Sequence, residues 1–150
     1  MGAFADLMAN VVTLEERVKV AAKAAKQNDE PRVYEWRPSG VPELPAIWNW
    51  IDDAEYSLVD TGRADNLVVV TATIGVKPSD LAESMGQLVR LVDVFTEVVD
   101  PALDQKRPLG ARYAKRSVIR TRIDEFNGVP VMCMDLLIRC ELTAMIRGGG

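Results

Sequence analysis

Apolar side chains recur at helical spacing at the start of the chain. Phe4, Leu7, Met8 and Val11 form one stripe, and Leu14, Val18, Ala21, Ala22 and Ala25 continue it, which predicts an amphipathic helix from Ala3 to about Gln27. Thr13 followed by Glu16 fits a capping box, so a restart after Asn10 is open, and Asn28-Asp29-Glu30-Pro31 ends the pattern. Arg32 to Trp36 alternates like a short strand. Pro38, Gly40, Pro42 and Pro45 then make residues 37–46 a Pro-rich loop, because proline fits neither a helix interior nor a central strand. Ala46 to Ile51 reads as a strand with Trp48 and Trp50 on one face, Tyr56 to Asp60 as a second short strand, and Thr61 to Asp65 as a turn. Leu67 to Val76 is the clearest central strand, with Val68, Val70, Ala72, Ile74 and Val76 on one side.

Pro78-Ser79-Asp80 opens a second helix, with Ser79 as the expected N-cap. Its stripe is Leu81, Met85, Leu88, Val89, Val92, Phe95 and Val99, and Asp100-Pro101 is expected to stop it or begin a short turn. Asn127-Gly128 is a strong hairpin signal. A two-residue turn there sets Ile123 opposite Met132, Thr121 opposite Met134 and Ile119 opposite Leu136 on an apolar face, with Arg120 opposite Asp135 on the other. The apolar face of the second strand runs on through Ile138, Cys140, Leu142, Ala144 and Ile146, and residues 147–150 are expected to fray. A one-residue slip loses this agreement. Helix, strands, helix and long hairpin together predict a single α+β domain over residues 1–150: a mainly antiparallel sheet with two helices packed on one face.

Composition agrees with one globular domain: 150 residues, 48% apolar and 27% charged. No apolar run exceeds that of Leu67–Val70, far short of the roughly 20 residues of a membrane span, so no membrane association is expected. The first residues carry no basic, apolar signal-peptide pattern. Cys133 and Cys140 share one strand, about 23 Å apart at about 3.3 Å per residue, and point to opposite faces, so they do not bridge within a subunit. The chain has no histidine, which removes the commonest general base and transition-metal ligand. Glycines 2, 40, 62 and 75 stand alone, without a phosphate loop, and no serine sits in a nucleophile elbow. Asp52, Asp53, Glu55 and Asp60 lack the spacing of a calcium loop; solvated strand ends or an acidic partner surface account for them better than a metal site. No catalytic residue, cofactor or metal ligand is expected.

Charge is unevenly spread. Residues 1–105 carry 18 acidic and 9 basic side chains, whereas residues 106–122 carry Lys106, Arg107, Arg112, Lys115, Arg116, Arg120 and Arg122 and no acid. On the expected strand Arg116, Arg120 and Arg122 share the face opposite Ile119 and Ile123. Arg116 is expected opposite Arg139, leaving unpaired positive charge. Basic residues here suit a solvated strand face, a docking surface for another protein or a nucleic-acid contact. The net charge of −4 favours a protein that joins copies of itself, basic patch to acidic patch, over a duplex-DNA reader. Trp48 and Trp50 suit a subunit interface, the chain's own core or a stacking platform.

The whole order resembles the tail terminator (tail completion) proteins of long-tailed bacteriophages. The resemblance lies in the N-terminal helix, the strand Ile47-Trp48-Asn49-Trp50-Ile51 running into Asp52-Asp53, the strand Asn66 to Ile74, the Ser79–Val99 helix, the Gly110–Arg122 approach and the final hairpin. It implies a structural virion protein without catalysis or cofactor, forming a homohexameric ring that caps the tail tube. Its partners would be the major tail tube protein and the head-completion connector. Genomic DNA would pass through without specific recognition, and assembly would take place in the host cytoplasm. Interface candidates inferred from the residues are Trp36, Val41, Pro42, Trp48, Trp50, Asp52, Asp53, Arg112, Arg116, Arg120 and Arg122. Another head–tail connector or tail-tube subunit, and a small cytosolic ligand-binding α+β domain, are the alternatives.

Overall fold

Two long helices lie on one side of a five-stranded sheet. The computed structural model describes residues 2–25, 30–60 and 63–145, with backbone alone at 53–60, 63–66 and 143–145. In chain order the elements are α1 (Ala3–Ala25), β1 (Arg32–Val33), β2 (Ala46–Asp60), β3 (Arg63–Val76), α2 (Leu81–Leu103), a 3-10 turn at Pro108–Gly110, β4 (Tyr113–Phe126) and β5 (Val129–Met145). The sheet order is β1-β2-β3-β5-β4, antiparallel except for the short β1–β2 pair. The α+β reading therefore holds. β5 enters the middle and β4 the edge for a reason visible in their side chains. β5 presents Met134, Leu136, Ile138, Cys140 and Leu142 to the helices, all buried, whereas β4 is rich in Arg and Lys that need water.

Alternation sets up two cores. On the helix side, Val68, Val70, Ala72, Ile74 and Val76 of β3 are fully buried against Leu7, Met8, Val11, Leu14 and Val18 of α1 and Leu88, Leu91, Phe95 and Val99 of α2. Each such large aliphatic or aromatic side chain contributes about 1.5–3 kcal/mol by leaving water. On the other side a smaller cluster joins Ala46, Trp48, Phe126, Val131 and Cys133, with Tyr34 and Leu44 packed on it. Trp48 meets Phe126 edge-on at 5.4 Å between ring centroids. Gly75 makes room for this contact, since a Cβ there would stand 2.6 Å from the Trp48 ring.

Several local expectations change. α1 runs unbroken through Thr13, whose hydroxyl donates to the Ala9 carbonyl instead of capping a new helix. Phe4 and Ala25 stay exposed at its ends, and Gln27 to Asp29 lie outside the described residues. The two strands expected over 46–60 are one strand, because a bulge between Ile51 and Asp53 lets the pairing with β3 resume after Asp52. Arg63 to Asp65 are already strand, and Thr61 and Gly62 lie outside the described residues. The expected Arg32–Trp36 strand shortens to Arg32–Val33.

α2 is capped by Asp80, not Ser79; the Asp80 carboxylate accepts the Glu83 N–H at 3.2 Å. The helix passes through Pro101 to Leu103, whose burial rewards the extra turn, although Pro101 has no N–H to donate. Leu81 and Val89 face solvent while Leu91 is buried in their stead.

From Ile119 to the turn the hairpin register is as read. Asn127 and Gly128 both take positive φ, at 51° and 81°, as a two-residue turn of this hand requires. Ile123 pairs with Met132, Thr121 with Met134, Ile119 with Leu136 and Arg120 with Asp135. Met134 and Leu136 are buried, but Ile119 and Ile123 are 40% and 70% exposed, because among the described residues no helix covers β4 beyond Arg116. Residues 146–150, including the expected frayed end, lie outside the described residues.

Candidate functional site

The basic stretch is organised by one buried acid. Asp135 lies on the side of the sheet away from the helices and is 1% exposed. It accepts hydrogen bonds from Thr73 Oγ1 at 2.7 Å, Arg122 Nε at 2.7 Å and Arg120 Nε at 3.2 Å. Arg122 also reaches Asp124 at 3.2 Å, and Asp124 receives Arg37 from the start of the Pro-rich loop at 3.0 and 3.1 Å. These bonds, Arg37 first, hold the Asp124 carboxyl at about 2. The Arg37 guanidinium also sits 4.0 Å above the Phe126 ring, so the loop is fastened over the smaller core. Beside this network is a groove of about 330 Å³ walled by Trp50, Arg120 and Arg122. Thr71 Oγ1, which also lines it, is buried and has no hydrogen-bond partner among the described residues.

This arrangement corrects the expected surplus of unpaired charge on one face. A bulge between Arg116 and Ile119 shifts the register, so Arg116 lies opposite Ile138 and not Arg139. The change of parity turns its side chain toward the helices, where its guanidinium grips the Asp100 carboxylate of α2 at 2.8 and 2.9 Å. Arg116 therefore does not share a face with Arg120 and Arg122, and Arg120 and Arg122 both have Asp135. Arg112 reaches Glu141 at 3.8 Å. The like-charge neighbours across the hairpin are instead Lys115 and Arg139, which are directly paired and both exposed.

The remaining candidates divide by burial. Trp48 and Pro42 lie within the chain's own interior, while Trp36, Val41, Trp50 and Asp52 are exposed. Trp48 thus serves the core, and its strand neighbour Trp50 is 59% exposed. The side chains of Asp53, Glu55 and Asp60 lie outside the described residues. Cys133 and Cys140 are both free and buried on opposite faces, as their parity requires, and burial pushes their thiols up to about 11 and about 12. Among the described residues no group of His, Cys, Asp and Glu is placed to hold a metal ion.

Both margins of the sheet are long. Among the described residues β4 has no strand on its outer side over 14 residues, and β1 covers β2 only at Ala46 and Ile47. Along or beside β4 the apolar side chains Val118, Ile119, Ile123 and Val129 are each 40% or more exposed, and Trp50 marks the β2 margin. An open, partly apolar strand edge offers unpaired N–H and C=O groups to another chain.

One polar pair escaped the reading of the sequence. Glu15 of α1 and Asn49 of β2 are both fully buried and bonded to each other, Asn49 Nδ2 donating to Glu15 Oε1 at 2.5 Å. Burial raises the Glu15 carboxyl to about 8. The available signal was a carboxylate inside the apolar stripe Val11–Val18 matched by an asparagine inside the apolar strand Ile47–Ile51. No family model matches the chain, and no curated protein matches it.

Proposed function

We propose that the chain is a self-assembling structural subunit that forms a ring of six, in the manner of the phage tail terminators it resembles, capping a tail tube and offering a joining surface to the head connector. The observation that carries this reading is the pair of open sheet edges among the described residues, whose stretches of sequence carry opposite charge. The 106–122 stretch, which leads into and forms most of β4, carries seven basic side chains and no acid, and Lys115 of it stands exposed. The stretch 52–60 on β2 holds Asp52, Asp53, Glu55 and Asp60 with no base. Two different complementary edges on one subunit join head to tail, and such contacts close into rings when the rotation allows. The exposed Ile119, Ile123 and Trp50 supply the apolar part of such a joint.

A charge-swap experiment tests the joint. Lys115→Glu lowers the fraction assembled, most sharply at low salt where screening is weak, and adding Asp53→Lys restores it. Assembly that ignores Lys115→Glu, or a double variant no better than the single one, overturns the edge-to-edge reading.

A further inference from the structure

Glu15 Oε2 and Asn49 Oδ1 are buried acceptors with no hydrogen-bond partner among the described residues, and they belong to the same bonded pair. If Glu15 were ionised, both atoms could only accept, and a desolvated charge would sit between α1 and β2 without a counter-ion. A single proton resolves both deficits. We propose that Glu15 and Asn49 form a neutral carboxylic acid–carboxamide pair, closed by a proton that the chain takes up on folding, which acts as a pH-sensitive latch between α1 and the sheet. In this pair Asn49 Nδ2 donates to Glu15 Oε1 and the Glu15 hydroxyl at Oε2 donates to Asn49 Oδ1. Asn49 Nδ2 also reaches the Tyr34 carbonyl at 3.5 Å, which ties the β1 end into the same contact.

Among the described residues no neighbouring cation takes the proton's place. The buried face of α2 is Ser84, Leu88, Leu91, Val92, Phe95, Val99 and Leu103, and the helix-facing side of β2 and β3 is Ile47, Ile51, Val70, Ala72 and Ile74, none of them charged. On α1 itself Glu16 is exposed and adds repulsion, and Lys19 turns to Glu30 at 4.0 Å. From the β1 side Arg32 is engaged with Glu43, and the Tyr34 hydroxyl accepts the Glu43 N–H.

Because the folded chain holds this proton to about pH 8 and the unfolded chain releases it near 4.5, folding takes up one proton between those values. The latch is closed in acid and opens as pH rises. Glu15→Gln reproduces both hydrogen bonds without a titrating group, so it is a permanently closed latch. The experiment is urea unfolding of wild type and Glu15→Gln from pH 5 to pH 8, with infrared spectra of both at pH 6. The ratio of the variant's folding constant to that of the wild type should climb about tenfold per pH unit, and the wild type alone should show the carbonyl band of a buried protonated acid. A flat ratio, the absence of that band in the wild type, or a Glu15→Gln chain that does not fold overturns the proposal.

Discussion

Single residues hold this fold at places where a side chain has little room or a charge has few neighbours. Gly75 lies under the Trp48 ring, with Val131 also within reach of any added Cβ. Gly75→Ala should therefore cost about 1–3 kcal/mol by overpacking, read as a lower urea midpoint with an unchanged slope. Leu136, fully buried at the centre of the helix-side core, should cost about 2–5 kcal/mol when cut to Ala. Asp124 behaves oppositely to Glu15. Its folded carboxyl is depressed to about 2, so its contribution is present above the unfolded value of 3.8 and is lost as pH falls through about 2. Asp124→Asn should accordingly show a shallower loss of stability between pH 4 and pH 2 than the wild type, measured by thermal unfolding. An equally steep loss in the variant would show that Arg37 and Arg122 do not depend on this carboxylate.

At the scale of elements, what could be read from the chain was whatever followed a strict period. The β3 face Val68 to Val76 and the hairpin register from Ile119 to the turn needed only alternation and Asn127-Gly128, and both stand. Bulges are invisible to alternation, so the shift between Arg116 and Ile119 moved Arg116 to the opposite face and into the Asp100 pair. The bulge after Ile51 likewise hid the continuity of β2. Coverage was the second blind spot. Alternation places Ile119 and Ile123 on the apolar face but does not reveal that α2 roofs only the start of β4, at Ala114 and Arg116. Capping was a third, where Ser79 and Asp80 are equally good cap residues and only geometry separates them. Asp80→Ala should cost about 1 kcal/mol, whereas Ser79→Ala should stay within about 0.5 kcal/mol, both by chemical denaturation. Equal effects would mean that the α2 cap is shared.

For the whole molecule, the basic stretch gains a different meaning from the one its composition suggested. Most of its arginines are satisfied inside the chain, so the segment is first a device for binding β4 to β5, to α2 and, through Arg122 and Asp124, to the Pro-rich loop. Exposed along the outer edge of β4 are Lys115, Ile119 and Ile123, and in the proposed ring this edge would meet the acidic β2 margin of a neighbour. Ile123→Glu, at a position already 70% exposed, removes apolar contact and sets an acid against the neighbour's acidic margin, so it should leave unfolding within about 0.5 kcal/mol of wild type yet reduce assembly severalfold. The central claim, a closed ring built from two unlike edges, is tested most directly by native mass spectrometry of the purified chain at low salt. The account predicts a discrete species of six chains, each of 16.5 kDa, with no larger ladder. A monomer at every concentration, a two-fold dimer, or an open series of ever larger oligomers would contradict it.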